Sequence, residues 1–124
     1  MKVQGNITFT VTERTADRVV SKMPIGDGIK NPFGLVHAGA ILWMADVTAT
    51  VLAIGPGEAS EGMSGFPLAI NLNANFLGNQ REGSLTAVAS FVKRGRTVSV
   101  VRTEVYGDKG KLMADVTTSH VFSK

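Results

Sequence analysis

The segment from Ala38 to Ala53 limits what this chain can fold into more than any other stretch. It carries Ile41, Leu42, Trp43, Met44, Val47 and Leu52, with no proline and no glycine after Gly39. Residues of this kind predict a helix of about four turns, roughly 24 Å long. The apolar side chains fall on nearly every side of it, and such a helix must be buried in a soluble protein. Gly55-Pro56-Gly57 ends it. One carboxylate, Asp46, interrupts the apolar run. A charge there costs free energy unless it is paired or faces a cavity. Asp46 is therefore a candidate functional group, or else a structural aspartate bonded to nearby backbone or to an arginine.

The rest of the chain has the period of strands. From Asn6 to Glu13, Ile7, Phe9 and Val11 alternate with threonines, which predicts a half-buried strand. Arg18 to Met23 is a second, closed by Pro24. The segment IGDGIKNPFGLVHAG follows as an irregular loop. After the helix come Leu68 to Leu77, Leu85 to Val92, Thr97 to Tyr106 and Leu112 to Phe122. Turn-like residues at Asn79–Gly83 and Gly107–Gly110 suggest that these four form an antiparallel meander. One helix cannot bury itself, so a curved antiparallel sheet wrapped around it is the simple solution. The class is α+β, as a single domain over residues 1–124.

Composition removes several kinds of chemistry. There is no cysteine, which excludes disulfides, thiolate nucleophiles and thiolate metal sites. The segment from Met1 to Asn6 has no signal-like apolar core, and the apolar run from Gly39 to Ile54 is too short and polar for a membrane span. A cytoplasmic location is expected. The net charge of +3 has a local source in Lys93, Arg94, Arg96 and Arg102. This cluster either meets phosphate groups or is a solvated strand edge kept positive. No stacking aromatics accompany it, so nucleic acid is not the expected partner.

Asn31, then His37-Ala38-Gly39, then Ala45-Asp46 resembles the signature of the hotdog thioesterases. The type it is most similar to is the phenylacetate-pathway and 4-hydroxybenzoyl-CoA thioesterase group. The later text from Asn71 to Val121 is similar to that group as well, so the resemblance spans nearly the whole chain. It implies a hotdog fold, with a curved antiparallel sheet around one central helix. It also implies a dimer or dimer of dimers with active sites at the interface. The reaction would be hydrolysis of acyl-CoA thioesters without metal or prosthetic group, coenzyme A being part of the substrate.

Thioester hydrolysis needs a site for developing negative charge and a means of supplying an attacking oxygen. The free N–H groups at the start of the helix, at Ala38 and Gly39, suit the first task. The family's first glycine falls at Ala38, a departure that leaves the N–H but reduces clearance. Asp46 would be nucleophile or general base. Ala38 and Asp46 are eight residues apart, about 12 Å along the helix. If both act on one thioester, Asp46 comes from a neighbouring subunit whose helix runs antiparallel.

Asn31 matches the family's substrate-orienting amide, or it starts a turn before Pro32. His37 would brace the loop. Thr50, one turn after Asp46, could bond its carboxylate or a water, or only the preceding helical turn. The Ser or Thr that some relatives carry on the strand after the helix matches Ala69 here, so that helper is missing. The turn Lys93-Arg94-Gly95-Arg96-Thr97 would hold the coenzyme A phosphates, as relatives do there. His120 reads as a surface residue. Phe33, Trp43, Met44, Met63 and Phe66 are candidates for the acyl pocket, and residues 56–67 for its rim. Two other hotdog activities fit the same residues: an acyl-thioester dehydratase or hydratase, and a non-catalytic acyl-CoA-binding protein.

Overall fold

The central helix α1 spans Ala38–Ile54. The computed structural model describes residues 1–56 and 64–123. Two strands precede the helix, β1 (Thr10–Arg14) and β2 (Arg18–Pro24), with a 3-10 turn at Asp27–Ile29. Four follow it: β3 (Pro67–Phe76), β4 (Ser84–Lys93), β5 (Val98–Tyr106) and β6 (Leu112–Phe122). All six strands form one antiparallel sheet in the order β1-β2-β4-β5-β6-β3. The sheet curves around α1, which touches β2, β3, β4, β5 and β6. This is the α+β hotdog architecture that the resemblance implied.

Three expectations need correction. The first strand starts at Thr10, not Asn6. Its ladder with β2 begins at Thr10↔Lys22, so two residues earlier the partner would be Pro24, which has no N–H to give. The Asn6 N–H instead bonds the Gly28 carbonyl at 2.9 Å. Ile7 and Phe9 still pack on the core, and Phe9 meets Trp43 edge to face at 4.9 Å.

The second concerns the meander. Of the four strands after the helix, only β4, β5 and β6 follow one another across the sheet. β3 leaves that sequence and pairs with β6 at the far edge. The 77–83 segment then passes the turn between β5 and β6, where Leu77 and Gly78 donate to the Met113 carbonyl. Alternation tells which face a residue takes but not which strand lies beside it.

The third concerns burial of α1. Its own sheet covers one face: Ala40, Ile41, Met44, Ala45, Thr48 and Leu52 are buried. Trp43 is 44% exposed, and Leu42, Val47, Val51 and Ile54 are only partly covered. The helix is apolar all round, yet one chain buries only part of it. β3 has the same character. Leu68, Ile70, Leu72 and Phe76 are 40–58% exposed, and among the described residues no strand lies beside its outer edge.

Candidate active site

The loop before α1 is tied down from several sides. Asn31 Oδ1 accepts from the Phe33 N–H at 2.9 Å and the Leu35 N–H at 3.2 Å. This is the turn-forming arrangement, and it commits that oxygen to the loop itself. Asn79 clamps Val36 through both its amide atoms, 3.1 Å to the N–H and 3.0 Å to the carbonyl. Arg81 donates to the Phe33 carbonyl. The His37 N–H bonds the Ile29 carbonyl at 2.8 Å. The start of the helix is thus fixed by the long connection that crosses the sheet.

His37 is the N-cap residue, and its side chain caps nothing. The first intrahelical bonds are those of Ala40 and Ile41 to the His37 carbonyl. The N–H groups of Ala38 and Gly39 come before them, on an exposed surface, and a Cβ at Gly39 would meet nothing within 4 Å. Room for a substrate oxygen and unspent helix-terminal donors therefore coincide. An apolar hollow of about 220 Å³ adjoins this end, lined by Ile7, Ile29, His37, Gly39, Ala40 and Trp43 among others.

Asp46 and Thr50 lie in a different hollow, a groove of about 320 Å³ between α1 and the start of β3. Val47, Val51, Phe66 and Ala69 share its lining. Asp46 Oδ1 is buried with no hydrogen-bond partner among the described residues. No arginine pairs with Asp46 among those residues. Within one chain, then, Asp46 and Thr50 come together, and Ala38 and Gly39 come together, but the two pairs lie in separate places.

The basic turn is a third place. Lys93, Gly95, Arg96 and Thr97 line an open hollow of about 470 Å³. Gly95 is required there, because a Cβ would sit 1.9 Å from the Val98 carbonyl oxygen. Arg94 is turned away. It stacks over Phe91 at 4.4 Å, donates to the Ala16 carbonyl and meets Asp17 at 3.4 Å. Arg102 is held by Asp115 through two bonds of 3.0 Å. Lys93 and Arg96 have no such partner among the described residues.

Residues 33–114 match the thioesterase superfamily. The chain belongs to that superfamily. It is 30% identical to ComA2 of Bacillus subtilis over 103 residues, 83% of this chain and 79% of that one. It is 29% identical to the 1,4-dihydroxy-2-naphthoyl-CoA hydrolase of Escherichia coli over 96 residues, 77% of this chain and 68% of that one. A variant of a Staphylococcus aureus thioesterase superposes with a TM-score of 0.86 at 23% identity, covering 94% of this chain and 93% of that one. A hypothetical thioesterase of Streptococcus pneumoniae, solved with coenzyme A, gives 0.82 at 17% identity, with 94% and 86% covered. The protein is accordingly a thioester hydrolase with the hotdog fold.

In this thioesterase His120 is not a surface residue. It is fully buried on β6, opposite Ala69 on β3 and Ser99 on β5. Its alternating position in β6 was legible, but not the fact that β3 covers that strand. Burial pushes its imidazole below the ordinary histidine value, while the Asp46 carboxylate and the Pro67 carbonyl pull it upward. Of the acyl-pocket candidates, Phe66 lines the Asp46 groove and Trp43 the hollow at the helix start. Met44 is sealed in the core and Phe33 stands exposed. Met63 and most of the 56–67 rim lie outside the described residues. No helix among the described residues is long and apolar enough to cross a membrane.

Proposed function

We propose that this thioesterase hydrolyses an aryl- or fatty-acyl-CoA to the free acid and coenzyme A, at a site shared between two copies of the chain. The observation that carries this reading is the Asp46 oxygen, buried without a partner among the described residues in a mostly apolar groove. An unpaired buried carboxylate oxygen costs free energy, and chemistry at that atom accounts for its retention. The substrate carbonyl sits against the Ala38 and Gly39 N–H groups of one copy. Asp46 of the other takes a proton from water as the water oxygen attacks, the oxyanion collapses, the C–S bond breaks, and Asp46 returns the proton to the departing thiolate. If Asp46 instead attacks the carbonyl itself, the thiolate leaves and water then hydrolyses the Asp46–acyl anhydride to the free acid, its proton going to the thiolate. Coenzyme A enters as part of the substrate, and no metal or prosthetic group is needed for these steps.

Two features support the second copy. The apolar edge of β3, unpaired among the described residues, invites pairing, and the uncovered face of α1 lies beside it. A second β3 and an antiparallel second helix would cover both and bring an Asp46 toward the partner's helix start. The test is free-thiol release from a panel of aryl- and fatty-acyl-CoAs. Turnover of one class names the substrate, whereas binding without any thiol release would leave a non-catalytic acyl-CoA-binding protein.

The basic turn fits the nucleotide end of coenzyme A through Lys93 and Arg96. Replacing both by Ala is expected to raise KM for the acyl-CoA roughly tenfold, the value of about one charge-assisted hydrogen bond. KM for the same acyl group on N-acetylcysteamine, which has no phosphate, should not move. Steady-state kinetics on the two thioesters make the comparison.

A further inference from the structure

His120 is a buried ionisable group that the reaction above does not use. Its Nε2 lies 2.8 Å from Thr118 Oγ1, and its Nδ1 has no hydrogen-bond partner among the described residues. Asp46 Oδ1 is in the same condition. The two belong to one neighbourhood. His120 pairs directly with Ala69, and opposed residues of an antiparallel pair point to the same face of the sheet. Ala69 lines the Asp46 groove, so the imidazole is directed to that side too. A bulge between Ala69 and Asn71 locally re-aims β3 at this point. The Asp46 charge also reaches the ring electrostatically.

We propose that His120 is the positioning residue of Asp46. Thr118 donates its hydroxyl to Nε2, which leaves the proton of the neutral ring on Nδ1. Nδ1–H then donates to the Asp46 carboxylate, directly or through one water, and so fixes which oxygen faces the thioester. The group sits where β6 lies beside Ala69 of β3. Charge around the ring is simple. Asp46 on α1 is the charged side chain acting on it, β3 supplies the Pro67 carbonyl, and its neighbours Ala69 and Ser99 are neutral. Burial favours the neutral ring, which Nε2 needs in order to accept from Thr118.

This inference rests on the catalytic reading of Asp46, and its test separates the two. His120→Gln places an amide where Nε2 is and keeps the Thr118 contact. His120→Asn places one where Nδ1 is and keeps the donor toward Asp46. The Gln variant is expected to lose roughly ten- to hundredfold in kcat, the value of one hydrogen bond to a charged group, with KM little changed. The Asn variant should keep kcat within a few-fold. Equal losses in both variants, tracking a common fall in Tm, would overturn the proposal, as would an unchanged Gln variant. Nitrogen NMR of the two imidazoles needs no turnover and no His120 variant. It should show His120 protonated on Nδ1 and perturbed by Asp46→Asn. Protonation on Nε2 with no response to Asp46→Asn would refute the pairing even in an active enzyme. Failure of the native protein to release thiol would instead count against the catalytic reading.

Discussion

Asp46→Ala should lower kcat/KM at least about a hundredfold and leave the fold standing. Loss of a group that moves a proton costs on the order of a hundred- to ten-thousandfold. The stability side is unusual for a buried polar residue. Asp46 Oδ1 has no partner among the described residues, so truncation removes a poorly satisfied charge from a mostly apolar groove and leaves at most the His120 Nδ1–H without an acceptor. Tm is therefore expected to hold or rise while activity disappears. Differential scanning calorimetry beside thiol release would show it, and a fall in both together would mark Asp46 as structural. Gly39→Leu supplies the complementary defect. Its added side chain enters open space, so the chain folds, but the substrate carbonyl is kept from the helix start. Mixing the two inactive proteins under exchange should restore about a quarter of native activity, because half of randomly paired dimers are mixed and each has one intact site of two. No recovery would place the whole site in one chain.

The helix and its carboxylate were legible because their signals are local. A run of apolar helix formers and one interrupting charge are visible without knowing what surrounds them. The Gly95 turn was legible for the same reason, and the structure adds why nothing larger fits. The place of β3 was not, because pairing with β6 depends on contacts 38 to 55 residues distant in sequence. His120 was misread as a direct result: its burial comes from α1, β3 and β5, not from its own strand. Asn31 was seen as a candidate, but its oxygen's commitment to Phe33 and Leu35 depends on a loop shape that Asn79 and Arg81 help to hold.

Ile70→Lys with Leu72→Lys should yield a monomer with little or no thiolesterase activity. Both side chains are more than a third exposed in the single chain, so the substitutions cost the isolated fold little. In a pair joined along β3, each would be present twice, placing four ammonium groups in one seam. Each lost apolar contact is worth about 1.5–3 kcal/mol. Four together exceed about 6 kcal/mol, more than four decades in the dissociation constant. Size-exclusion chromatography with light scattering should give one chain's mass. An unchanged assembly would mean that copies meet along some other surface.

Eight residues of helix separate the Ala38 N–H from Asp46, and a packed helix does not shorten. In the proposed reaction it would act as a fixed ruler, keeping the two halves of the chemistry out of each other's reach. A newly synthesised chain would thus be inert toward thioesters until it met a second one. At concentrations below the dissociation constant, the rate would rise with the square of protein concentration rather than in proportion to it. Hydrolysis would then be governed by how much of the protein a cell makes, with no inhibitor and no modification involved.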